Sequence, residues 1–149
     1  MTVPQRLSIV TLGVADVARS TRFYESLGWR RAPGSQESIT FFEMEGSALG
    51  LFGHGELAED AGVPDDGPGT GQGTFRGVTV SLDVDSRDEV DATFAEWVDK
   101  GATAVKPPGP VFWGGYTSYV ADPDGHLWEI VHNPLMPNGS DGRVTFPDG

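Results

Sequence analysis

Two stretches of the chain repeat one order of local signals, and this repeat constrains the fold more than any other feature. The first opens with Leu7-Ser-Ile-Val-Thr-Leu-Gly-Val14, an apolar run of strand character, followed by Asp16 as a helix N-cap. Val17 to Leu27 reads as a helix with Phe23, Tyr24 and Leu27 apolar, and Gly28 stands where a glycine ends a helix. The second opens with Val78 to Val84, which alternates strictly: Val78, Val80, Leu82 and Val84 on one face, Thr79, Ser81 and Asp83 on the other. Ser86-x-x-Glu89 then forms a capping box, Val90, Phe94, Trp97 and Val98 follow at helical spacing, and Gly101 closes the helix.

Short extended runs follow each helix. In the first half they are Ile39–Glu45 and Ser47–Gly53; in the second, Ala102–Lys106, Pro110–Trp113, Tyr116–Ala121 and His126–Asn133. Asp122-Pro-Asp-Gly125 suits a type I turn between the last two. The chain thus reads as two strand–helix–strands modules of some 60 residues each. Leu57–Thr74, rich in Gly, Pro and Asp with four acids and no base, reads as a linker, and residues 135–149 as a tail in which Arg143–Phe146 adds one short edge strand.

With 149 residues, one domain spans the chain: module one at about 6–56, linker 57–74, module two 75–134 and tail 135–149. The absence of cysteine excludes disulfides, thiolate metal sites and cysteine nucleophiles. A net charge of −12 repels phosphate backbones and anionic lipid, so neither nucleic acid nor membrane is an expected partner. No apolar run approaches the roughly 20 residues of a membrane span. The N-terminal residues lack a basic stretch followed by an apolar one, so no signal peptide and a cytoplasmic location are expected.

Three segments, Val10-Thr-Leu-Gly-Val-Ala-Asp16, Phe23-Tyr24 with Leu27-Gly28, and Tyr119-Val-Ala-Asp-Pro-Asp-Gly-His-Leu-Trp-Glu-Ile130, make the chain similar to the vicinal-oxygen-chelate superfamily. That superfamily comprises glyoxalase I, extradiol dioxygenases, fosfomycin-resistance and bleomycin-resistance proteins. The resemblance covers roughly residues 6–134. It implies an α+β fold in which two βαβββ modules form a curved, cup-shaped mixed sheet with helices outside, commonly as a homodimer.

The family's metal enzymes draw ligands from the first and last strand of each module. On this chain those positions fall on Ile9, Thr79, Gly50 and Glu129, so the resemblance implies one retained carboxylate and no other strong ligand. His126 and His132, each three positions from Glu129, fall on the opposite strand face, and His54 lies at a strand end. The expectation is therefore no cofactor and no divalent metal.

The implied cup mixes Ile9, Thr11, Thr79, Ser81, Asp83, Leu127 and Glu129, an apolar and hydroxyl-lined cavity with two carboxylates. Phe41 and Phe42 are adjacent, so one faces the cup and the other the helices, and Phe42 is the expected ligand contact. Phe112, Trp113 and Tyr116 flank Gly114-Gly115, a break suited to a lip over the cup. Glu129 is the candidate general base or the anchor for a ligand amine. The leading reading is a metal-independent protein that binds a small organic molecule, aromatic or cationic, as bleomycin-resistance proteins do. Beside it stand a superfamily enzyme (a lyase, a dioxygenase or a metal-free isomerase using Glu129) and a structural module with a filled cup.

Overall fold

A computed structural model describes residues 3–65 and 75–147. The chain divides into two compact units, Met1–Pro68 and Gly69–Gly149. In the first unit, β1 (Ile9–Val14) leads through α1 (Val17–Ser26) to β2 (Ile39–Glu43), β3 (Ala48–Gly53) and α2 (His54–Ala61). β1 pairs parallel with β3, and β2 pairs antiparallel with it. A fourth strand is reduced to one bridge, Arg31 opposite Phe42.

The second unit repeats this order. β4 (Thr79–Asp83), α3 (Arg87–Asp99), β5 (Thr103–Pro110), β6 (Tyr116–Ala121) and β7 (Leu127–His132) form a sheet in the order β4-β7-β6-β5. β4 runs parallel to β7, and the other pairs are antiparallel. The unit is therefore βαβββ, and the first is the same arrangement with its outer strand cut to a bridge.

Both long helices start where side chains supply the acceptors that a first turn lacks. Asp16 Oδ1 accepts from Arg19 N at 3.0 Å, and Ser86 Oγ accepts from Glu89 N at 3.1 Å. Asp85 N donates in turn to Glu89 Oε2 at 2.7 Å, one residue earlier than a strict capping box. In the first unit α1 buries Phe23 and Tyr24, and Tyr24 packs against Trp29 and Phe42 with ring centroids 5.4 and 6.0 Å away. Beneath them the Thr21 and Thr40 hydroxyls bond each other at 2.8 Å, which leaves neither buried oxygen unpaired. In the second, Trp97 of α3 meets Trp128 of β7 at 5.2 Å. Val98, expected on the buried stripe, sits at its exposed margin.

The expected turn closes through Gly125 N to Asp122 O at 2.9 Å. The buried Asp122 carboxylate caps it by accepting from Asp124 N and His126 N at 2.9 and 2.8 Å. Two expectations change. The start of the proposed linker is helix α2, ended by Gly62 at φ 71°, and the rest of the linker from residue 66 to 74 lies outside the described residues. The tail strand at Arg143–Phe146 is a single bridge, Val144 to Asn138. No described helix is long and apolar enough to cross a membrane.

Candidate functional site

The second sheet has one face packed on α3 and one away from it. In the first, α1 packs on one face and α2 reaches only the Gly13 end of the other, and strand register assigns every side chain to a face. On the uncovered face of the second sheet, Tyr119 lies opposite Glu129 and Glu129 opposite Ser81. Ser81 Oγ donates to Glu129 Oε1 at 2.8 Å, and Tyr119 OH donates to Oε2 at 3.0 Å. The carboxylate is thus held by one hydroxyl per oxygen. Lone pairs remain on both oxygens, because an ionised carboxylate offers about four acceptor positions.

The charge on Glu129 marks its neighbours. The Tyr119 phenol is pushed above its ordinary pKa by burial first, then by its bond to Glu129 and the negative charge there. It therefore stays a donor at neutral pH. Asp83, one step along β4 from Ser81 on the same face, is also raised, by burial and then by Glu129, against a lowering influence from His132.

The first unit carries an equivalent row. Thr11 lies opposite Gly50, and Gly50 opposite Phe41. Thr11, Gly50 and Phe41 thus occupy the places that Ser81, Glu129 and Tyr119 hold in the second. A Cβ on Gly50 would come within 3.1 Å of Thr11 Oγ1 and 3.4 Å of the Phe41 ring, so those two side chains fill the space of a second carboxylate stem. Ile9, half-exposed at the start of β1, pairs with Ala48, and Thr79 pairs with Leu127.

Phe42 and Tyr116, both expected as ligand contacts, belong to the helix-facing sides. Phe42 is 1% exposed and packs against Tyr24 and Trp29, so Phe41 is the member of the pair on the uncovered face. Tyr116 pairs with His132; its hydroxyl donates to Asp91 Oδ1 of α3 at 2.8 Å, and the Arg87 guanidinium lies 5.2 Å from its ring centroid. That bond to Asp91 is the main reason its phenol is also raised. Phe112 is fully exposed, and the Trp113 indole lies over Gly115, where any side chain would overlap it. The Gly-Gly break makes a closed loop, with Val111 N to Gly115 O and Gly114 N to Val111 O both at 3.0 Å.

Tyr119 is the site residue that the sequence reading missed. Its signal was present, because counting back from the Asp122–Gly125 turn sets Tyr119 opposite Glu129.

Each of the three histidines has a partner within its own unit. His54 Nδ1 is 3.2 Å from Asp65 Oδ1, His132 Nδ1 donates to Val84 O at 3.1 Å, and His126 Nδ1 accepts from Arg76 at 2.9 Å. Among the described residues, no group of three or more His, Asp or Glu is placed to hold a metal ion. At the family positions Ile9 has no donor atom, Gly50 no side chain and Thr79 a lone hydroxyl, so Glu129 is the one strong donor of the four. This donor set does not fit a divalent ion.

Residues 6–130 match the family model of the Glyoxalase/Bleomycin resistance protein/Dioxygenase superfamily. The chain belongs to that superfamily. A glyoxalase-related enzyme from Fulvimarina pelagi is 35% identical, with TM-score 0.84 over 97% of this chain and 100% of that one. Two further superfamily structures share the fold. A family enzyme from Burkholderia phytofirmans PsJN is 22% identical (TM-score 0.69; 84% of this chain, 96% of that one). The lactoylglutathione lyase from Agrobacterium tumefaciens is 23% identical (TM-score 0.66; 89% and 97%). No protein of curated function matches the sequence. In this chain the second βαβββ unit carries a carboxylate, Glu129, that hydroxyls, and not imidazoles, flank.

Proposed function

We propose that the protein binds a small organic molecule carrying a cationic or aromatic group on the uncovered face of its second sheet, without a metal ion. One observation carries this reading: Glu129 is presented by Ser81 and Tyr119 with lone pairs to spare, in a donor set unfit for a divalent ion. An ammonium group would add to those hydroxyls without displacing either, and Tyr119 offers a ring face beside it. The overall charge of −12 favours the approach of a cation. Sequestration of an antibiotic or another natural product is the finer form of the proposal, and a cytoplasmic homodimer its expected setting.

Two measurements test it. Protein incubated with Ni, Zn, Mn or Fe(II) salts and desalted should retain none by plasma mass spectrometry; near one equivalent per chain would sink metal independence. Tryptophan emission should respond to planar cationic compounds in wild-type protein and much less in Glu129→Gln. Silence across a panel of cationic and planar aromatic compounds would overturn the binding reading.

The Tyr119 hydroxyl 3.0 Å from Glu129 also supports a second reading, a metal-free isomerase with Glu129 as base and Tyr119 as proton donor. Turnover of any substrate that survives Glu129→Gln would exclude that role.

A further inference from the structure

The row that holds Glu129 continues across the whole second sheet and ends in a cation. Lys106 of β5 lies opposite Tyr119, so the order across the four strands is Lys106, Tyr119, Glu129, Ser81. A bulge places the lysine there. Thr103 pairs with Ala121 and Ala104 with Val120, so an unbroken ladder would set Val105 opposite Tyr119 and turn Lys106 to the helix side. The register shift between Ala104 and Lys106 skips Val105 and brings the lysine onto the uncovered face.

Lys106 is exposed, and among the described residues its ammonium makes no ion pair or hydrogen bond. Among the described strand residues it is by register the one cation on this face, at the β5 side, whereas the two acids, Glu129 and Asp83, lie on β7 and β4. The face is therefore dipolar, with a phenol between its poles.

We infer that this face selects a zwitterion, its ammonium at Glu129, its carboxylate at Lys106 and an aromatic or apolar spacer over Tyr119. This rests on the binding reading above and narrows its ligand class. Lys106 and Glu129 are two strands apart, which puts their backbones roughly 10 Å from each other. Ser81 and Tyr119 hold Glu129 from its two sides, and strand side chains stand roughly perpendicular to the sheet, so the two charges lie about as far apart as the backbones and a ligand with its charges on adjacent carbons is too short to meet both. One whose charges are separated by a ring, or by about four carbons or more, reaches both.

Calorimetric titration of the full chain with 4-(aminomethyl)benzoate, benzylamine and benzoate tests this, using wild type, Lys106→Met and Glu129→Gln. The zwitterion should bind wild type at least about ten-fold more tightly than benzylamine. Lys106→Met should erase that advantage and leave benzylamine unchanged, and Glu129→Gln should weaken both amines. Equal binding of zwitterion and benzylamine, or an advantage that persists in Lys106→Met, would overturn the role of Lys106 while leaving the anchor at Glu129 intact. Absence of binding by either amine, or binding indifferent to Glu129→Gln, would overturn both. Lys106 is exposed and Met keeps the stem, so the Lys106→Met result does not hinge on folding.

Discussion

Replacing Tyr119 by phenylalanine removes one oxygen and keeps the ring. The lost hydroxyl is the donor to Glu129 Oε2 at 3.0 Å, and Ser81 keeps the other oxygen at 2.8 Å. A hydrogen bond to a charged acceptor contributes about 1.5–3 kcal/mol where water is excluded. Tyr119 and Glu129 are half-buried, so water replaces part of the lost bond and the expected cost is about 1 kcal/mol. For a chain of this length that lowers Tm by about 2–4 °C. A double-mutant cycle with Glu129→Ala isolates the bond: Tyr119→Phe should cost about 0.5–1 kcal/mol less in the alanine background than in wild type. Urea unfolding followed by tryptophan emission measures it, with an unchanged m-value showing that the denatured state is the same. Equal costs in the two backgrounds would refute the reasoning, because the Tyr119 hydroxyl would then contribute without Glu129.

Since the Tyr119 phenol is raised by burial and by Glu129, the folded chain holds that proton more tightly than the unfolded chain. This stabilisation is complete below about pH 10 and is lost as pH rises through the folded value, so absorbance titration of Glu129→Gln should show a tyrosine ionising earlier than in wild type. Asp83 is raised as well, so its ionised form costs stability above about pH 4, and Asp83→Asn should stabilise the protein at pH 7. Solvent screening keeps that gain under about 1 kcal/mol, and it should vanish on acidification below about pH 4; a constant gain across pH would point to packing. Phe42→Ala should cost about 3–5 kcal/mol in chemical denaturation, because the ring is buried in the α1 core. Phe41→Ala should cost clearly less, and a larger loss for Phe41→Ala would mean the two faces have been exchanged.

The repeat, both helix caps and the Asp122–Gly125 turn were legible because each rests on residues within a few positions of one another. What the sequence hid needed register. Nothing in Phe41-Phe42 says which ring meets α1 until β2 is paired against β3, and Tyr116 and Tyr119 differ in the same way. For the tyrosines the turn could have settled it, since β6 and β7 are its two arms. Lys106 could not have been found: it reaches its row through a bulge, and among Pro107, Pro108 and Pro110 no alternation survives to reveal one. Helix α2 was missed because Gly53 provides no side-chain cap, while the acids and glycines around it resemble a linker.

β5 forms one edge of its sheet, where an outermost strand ordinarily offers a row of free backbone groups to any passing extended chain. Pro107, Pro108 and Pro110 have no N–H to give, and two register shifts interrupt the remaining ladder. Strand addition at that border finds no continuous template, so the sheet resists growing into an aggregate from this side. That resistance bears on dosage under the proposed binding role: a protein that holds its ligand one for one is useful only when it is as abundant as the ligand, and a protected border removes one obstacle to such abundance.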